Sequence, residues 1–162
     1  MRTFCELLAL HRHLDELFFV HQRALLRMDL TEASAALEAF ETELLAHMQD
    51  EEELMLPIYS DRAEAPTGGA AEIFLGEHQK LREYVRLFRE ELIKLTKAKD
   101  LERGVLFLID SQHLFKRLLV HHDTREKKML YPILDQVTSE AERKGLFASL
   151  KLPSAAAAAA TS

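Results

Sequence analysis

Two stretches of this chain each place a histidine four residues ahead of a glutamate: His47-Met-Gln-Asp-Glu51 and, 75 positions later, His122-Asp-Thr-Arg-Glu126. On a helix, positions four apart share one face about one turn from each other, so each stretch aims an imidazole and a carboxylate in one direction. Both stretches continue alike, through Leu54-Met55-Leu56-Pro57-Ile58 in one and Met129-Leu130-Tyr131-Pro132-Ile133 in the other. Two such helices facing each other bring two nitrogens and two carboxylates to one interior point, which is how a helical bundle makes a metal site.

The elements that must position these pairs are helices. The chain has 162 residues, 48% of them hydrophobic and 30% charged, with five Gly and four Pro, the profile of one compact helical domain. Thr3 with Glu6 reads as a capping box opening a first helix to about Met28, and Asp29 with Glu32 opens a second to about Leu56, where Pro57 is expected to stop it. Residues 57–70, with Pro66, Gly68 and Gly69, read as the one substantial loop. A third helix is expected from about Ala71 to Ala98, a fourth from about Leu101 behind an Asp100 cap to about Val137, and a short fifth behind Ser139 to about Leu150. Residues 1–152 are thus expected to form the bundle, and residues 153–162, mostly alanine, a disordered tail.

Each long helix carries an apolar seam in steps of three and four, of the kind that builds a four-helix bundle. The seams are interrupted by His11 and His21 in the first helix, His47 and Glu51 in the second, His78 in the third, and Gln112, His122 and Glu126 in the fourth. Short connections make consecutive helices antiparallel neighbours, which gives an all-α, up-down-up-down four-helix bundle with a short C-terminal fifth helix. With a turn near Asp29, the residue level with His47 falls at about 12, bracketed by His11 and His13; with a turn near Asp100, the residue level with His122 falls at about 79, beside His78. His11 followed by Leu14 repeats as His78 followed by Leu81, which favours His11. His11, His47, His78 and His122 then share one layer, with Glu51 and Glu126 a turn away. A lone histidine on an apolar stripe is commonly a hydrogen-bonded core residue, but four of them with two buried carboxylates cost several kcal/mol unless a cation compensates.

Histidine plus carboxylate suits iron, zinc or manganese, and with a single cysteine, Cys5, no thiolate site can form. Six donors exceed what one tetrahedral zinc needs. Two bridging carboxylates and two histidines per cation give each metal four protein donors and leave room for a solvent bridge and an exogenous ligand. That is the arrangement of a di-iron site, with zinc or manganese as the lesser alternatives.

At these residues the chain resembles the hemerythrin-like, or HHE cation-binding, family. The matching pieces are His11 with Leu14, His47-x3-Glu51 before Met55-Leu56-Pro57, Glu77-His78 with Leu81, and His122-x3-Glu126 before Leu130-Tyr131-Pro132, spanning residues 7 to about 135. The resemblance implies a four-helix bundle with a non-haem di-iron centre that binds or senses dioxygen, nitric oxide or peroxide, or handles iron. The oxygen carriers of the family have a His-x3-His pair in the third helix and an Asp five residues after the fourth helix's His. Here Phe74 and Arg82 flank His78 at those spacings and position 127 is Lys, so the match is closer to the four-His, two-Glu iron-sensing and iron-centre-repair domains. No Glu-x-x-His occurs, unlike the ferritin-like bundles.

The competing classes are a di-iron enzyme turning over peroxide or nitric oxide and a helical interaction module with a structural cation. No catalytic residue is assigned, and a binding protein is favoured over a dedicated enzyme. A net charge of -6 without a basic stripe speaks against nucleic acid, and no apolar run of membrane-spanning length is present, so a cytoplasmic setting is expected. Among the remaining residues, His21 is expected to bond Gln112 in the core, His121 is an alternative to His122, and His13 and His113 fall off the seams. Glu52 and Glu53 are expected to face solvent, with an approach of Glu52 to the centre as the alternative, Tyr59 and Tyr131 to pack or cap beyond the site, and Cys5 to be buried.

Overall fold

The computed structural model describes residues 2–151. The expected Ala-rich tail at 153–162 lies outside them. Four long helices form the bundle: α1 (residues 4–26, beginning with a 3-10 turn over Phe4–Leu7), α2 (30–62), α3 (Ala71–Leu95) and α4 (101–137). A short α5 (Glu140–Ser149) follows.

The starts lie where capping chemistry puts them. Thr3 and Glu6 close a reciprocal capping box, the Asp29 and Asp100 carboxylates accept from the amides of Glu32 and Arg103, and Ser139 with Glu142 closes a second box at α5. Every neighbouring pair is antiparallel, because contacts run in opposite chain directions: Phe18 meets Phe40 where His11 meets His47, Arg89 meets Glu41 where His78 meets Glu52, and Phe115 meets Phe18 where Glu126 meets His11. The fold is the expected up-down-up-down bundle with a fifth helix.

Two expectations need correction. Pro57 does not end α2, which runs on to Arg62. Both α2 and α4 contain one widened π turn, at Glu51–Met55 and Glu126–Leu130, closed by bonds from the Leu56 amide to the Glu51 carbonyl and from the Tyr131 amide to the Glu126 carbonyl. Each proline sits directly after such a turn, where its missing N–H and its ring are accommodated by the locally altered hydrogen-bond ladder. Cys5 is exposed rather than buried. In its turn Phe4 and Leu7 take the inward positions.

The core is split in two. An aromatic cluster of Phe18, Phe40, Phe88 and Phe115 fills the half nearest the α1–α2 and α3–α4 turns, with ring centroids 5.0–6.3 Å apart. A second cluster, including Phe4, Met55, Leu56, Tyr59, Phe74, Leu130, Leu134 and Phe147, fills the other end beneath α5. Arg143 holds α5 down by donating to the carbonyls of Asp135 and Thr138 at 2.9 and 2.6 Å. Between the two clusters lies a polar layer.

Candidate metal centre

All six residues expected to hold metal lie in that layer, each at most 6% exposed: His11 on α1, His47 and Glu51 on α2, His78 on α3, and His122 and Glu126 on α4. The off-seam alternatives are elsewhere. His13 is 46% exposed and meets Glu43 at 2.9 Å, and His113 and His121 are at the surface. His21 bonds Gln112 at 2.9 Å and the Ala33 carbonyl at 2.8 Å, as a core histidine does.

The six residues divide into two groups. In one, His78 and His122 direct Nε2 toward Glu51 and Glu126, with His78 Nε2 3.3 Å from Glu51 Oε2 and His122 Nε2 2.7 Å from Glu126 Oε1. One ligand atom from each of these four residues lies within 4.8 Å of the others. In the second, His11 Nε2 is 3.0 Å from His47 Nε2 and 3.2 Å from Glu126 Oε2, and His47 Nε2 is 3.7 Å from Glu51 Oε1. Each glutamate therefore gives one oxygen to each histidine pair, the placement of a carboxylate that bridges two cations.

Hydrogen-bond accounting bears on whether these residues fit a metal. Among the described residues seven buried side-chain N or O atoms have no hydrogen-bond partner, and five belong to this layer: His11 Nδ1, Glu51 Oε2, His78 Nε2, His122 Nε2 and Glu126 Oε1. The last four are the facing donor atoms of the first group. They come close without aligning as hydrogen bonds, which is the geometry of ligands around a common cation. The donor set suits a borderline divalent or trivalent metal.

The outer nitrogens of His78 and His122 are fixed by the next helix round the ring. His78 Nδ1 donates to Glu52 on α2 at 2.8 Å, and Arg82 grips that same carboxylate at 2.9 and 3.0 Å. His122 Nδ1 donates to Glu77 on α3 at 3.0 Å, and Glu77 in turn accepts from Arg125 at 3.1 Å, while Arg125 also bonds the Gly68 carbonyl. Asp123 on α4 comes within 3.5 Å of His11 Nδ1. Glu52 and Glu77 orient the His78 and His122 rings with Nε2 toward the centre and raise their basicity as ligands. Glu52 is thus a supporting residue of the site rather than a solvated one, whereas Glu53 is exposed as expected.

Tyr131 is the larger correction. It is fully buried, and its hydroxyl donates to Glu51 Oε1 at 2.7 Å and lies 3.1 Å from His11 Nε2 and 3.4 Å from Glu126 Oε2. Tyr59 does what was expected of both tyrosines, bonding the Gly69 carbonyl at 2.8 Å at the loop.

Protonation follows the same partition. Burial pushes His11 down to about 3. Burial opposes charge on His78 and His122 as well, but the Glu126 and Glu51 carboxylates outweigh it, raising His78 to about 9 and His122 well above the ordinary histidine range. Glu126 is held well below the carboxylate range because the charges of His122, His78 and His11 outweigh its burial. Burial, reinforced by Glu126 and Glu51, keeps the Tyr131 hydroxyl protonated. A cation arriving between His78 and His122 therefore displaces protons, so its affinity weakens as pH falls.

The profile of the Hemerythrin HHE cation binding domain matches residues 5–134. The chain belongs to that family. No curated protein and no solved structure gives a significant match to this HHE domain. The matched span contains all six expected ligands and Tyr131, and a cation-binding role agrees with the two His/Glu clusters of the layer.

Proposed function

We propose that this HHE domain holds two iron ions, one between His78 and His122 and one between His11 and His47, with Glu51 and Glu126 bridging them. The pair serves to bind or sense a small ligand, dioxygen, nitric oxide or peroxide, or to handle iron. The observation that carries the reading is the division of both glutamates' oxygens between two histidine pairs, with four converging buried atoms lacking any other partner. Iron supplies redox and Lewis-acid chemistry when bound. The chain's own part is to hold the ions, to orient His78 and His122 through Glu52 and Glu77, and to enclose the centre. Residues only 0–6% exposed leave no open cleft for a bulky substrate. That enclosure favours ligand binding over a dedicated enzyme with an organic substrate.

The test is iron per chain after loading, for the wild type and for Glu51→Ala and Glu126→Ala, with helix content by circular dichroism. Two irons in the wild type, falling to one or none in either variant at unchanged helicity, is the expected result. Full loading of both variants, or a single zinc in the wild type, overturns the proposal.

A further inference from the structure

Among the buried positions at which the duplicated halves of the bundle differ, one adjoins the centre. Leu56 and Tyr131 occupy the same place in the two motifs, nine residues after the histidine and directly before the proline. Leu56 packs in the lower apolar cluster, whereas Tyr131 turns its oxygen into the centre. A residue that only packs there needs no hydroxyl, as Leu56 demonstrates. A hydroxyl that only satisfies a carboxylate needs one partner, and Tyr131 has three atoms around it, at 2.7, 3.1 and 3.4 Å.

Of those atoms, His11 Nε2 and Glu126 Oε2 belong to the cluster built on His11 and His47, and Glu51 Oε1 stands beside it, 3.7 Å from His47 Nε2. Ligands sharing one octahedral cation at bonds of about 2.1 Å stand about 3.0 Å apart along the octahedron's edges. His11 and His47 have that spacing at 3.0 Å, and His11 and Glu126 at 3.2 Å. The phenolic oxygen takes the next corner at similar distances.

We infer that Tyr131 is a phenolate ligand of the cation held by His11 and His47, a fifth protein donor beside those histidines, Glu51 and Glu126. The inference rests on the two-iron reading above. On coordination the phenolic O–H bond breaks, an oxygen–metal bond forms and the proton leaves to solvent, with no change of oxidation state. The two cations are then unlike. The one between His78 and His122 keeps four protein donors, and an exogenous ligand enters on that side.

The experiment compares the iron-loaded full chain with Tyr131→Phe by iron content, helix content, visible absorption and resonance Raman spectra. In the ferric wild type a phenolate-to-iron charge-transfer band appears in the visible, with phenolate ring modes enhanced on excitation into it. In Tyr131→Phe both are lost while two irons and the helix content remain; Tyr131→Leu, which copies Leu56, serves if the first variant does not fold. Two irons per wild-type chain without the band, or a band that survives the substitution, overturns the Tyr131 assignment and leaves the two-iron reading standing. A wild type that takes up fewer than two irons overturns both.

Discussion

His11, His78 and His122 are held in different protonation states by what surrounds each ring, and the same rule acts on the acid beside them. Burial first, then the Glu126 charge, raises Asp123 to about 7 from its ordinary 3.8, so the folded, metal-free domain binds a proton there that the unfolded chain releases. A carboxyl raised on folding contributes stability that is complete below the unfolded value and is lost as pH climbs through the folded one. In metal-free protein, Asp123→Asn therefore gains on the wild type between about pH 4 and pH 7, and the gap stays constant above that. Urea midpoints of the two proteins across pH 4–8 measure it, and parallel curves refute it. That His11, His47, Glu51, His78, His122 and Glu126 meet in one buried layer was legible in the sequence, because each interrupts an apolar stripe at helical spacing and the short turns fix their heights. Glu52, Glu77, Asp123 and Tyr131 were not, because each acts on a histidine of another helix. Seam position marks what faces the core, but it does not say whose ring a half-buried carboxylate reaches.

At the scale of the element, the helices and their caps follow from the sequence, and the π turns do not. One extra residue in a turn rotates everything after it by about 100°. Steps of three and four continued past Glu51 and Glu126 point Leu54, Ile58, Met129 and Ile133 at the core, whereas the residues taken fully inside are Met55, Leu56 and Tyr59 in α2 and Leu130, Tyr131 and Leu134 in α4. The same rotation swings the Tyr131 hydroxyl into the centre. Its trace in the sequence is the apolar pattern slipping by one place after each buried glutamate, just ahead of a proline that fails to break the helix. The α1–α2 turn holds a simpler strain. Met28 sits at φ 57°, and bonds from Asp29 N to Ala24 O and from Met28 N to Leu25 O, both 3.0 Å, complete a Schellman motif. Glycine adopts that conformation without the Cβ penalty of about 1–2 kcal/mol, and the packing of Met28, which is 37% exposed, offsets part of that gain. Met28→Gly should raise the unfolding free energy by about 1 kcal/mol in urea titrations, with metal content unchanged; a loss of stability would show that the Met28 side chain contributes more than its exposure suggests.

For the whole molecule, the polar layer separates two apolar clusters that would otherwise make one continuous core. Every helix of the four contributes to it, so a bound metal pair ties α1 and α2 to α3 and α4, and loading stabilises the fold by mass action, about 4 kcal/mol at a thousandfold excess over the dissociation constant. Without metal, the layer holds buried imidazolium–carboxylate pairs at His78 and His122, whose desolvation offsets their attraction, as in the His122–Glu126 pair at 2.7 Å. Well-packed apolar groups in place of such a network are commonly neutral or about 1–4 kcal/mol more stable. If the layer exists to hold metal and not to specify the bundle, then leucine at His11, His47, His78 and His122 with methionine at Glu51 and Glu126 should give a helical, cooperatively unfolding protein. In the presence of chelator it should be at least as stable as the metal-free wild type, and iron should leave its urea midpoint unmoved. The loaded wild type should lose its advantage when chelator is added. Should the apolar variant instead unfold more easily than the metal-free wild type, the ion pairs of the layer would be holding the four helices in register on their own account.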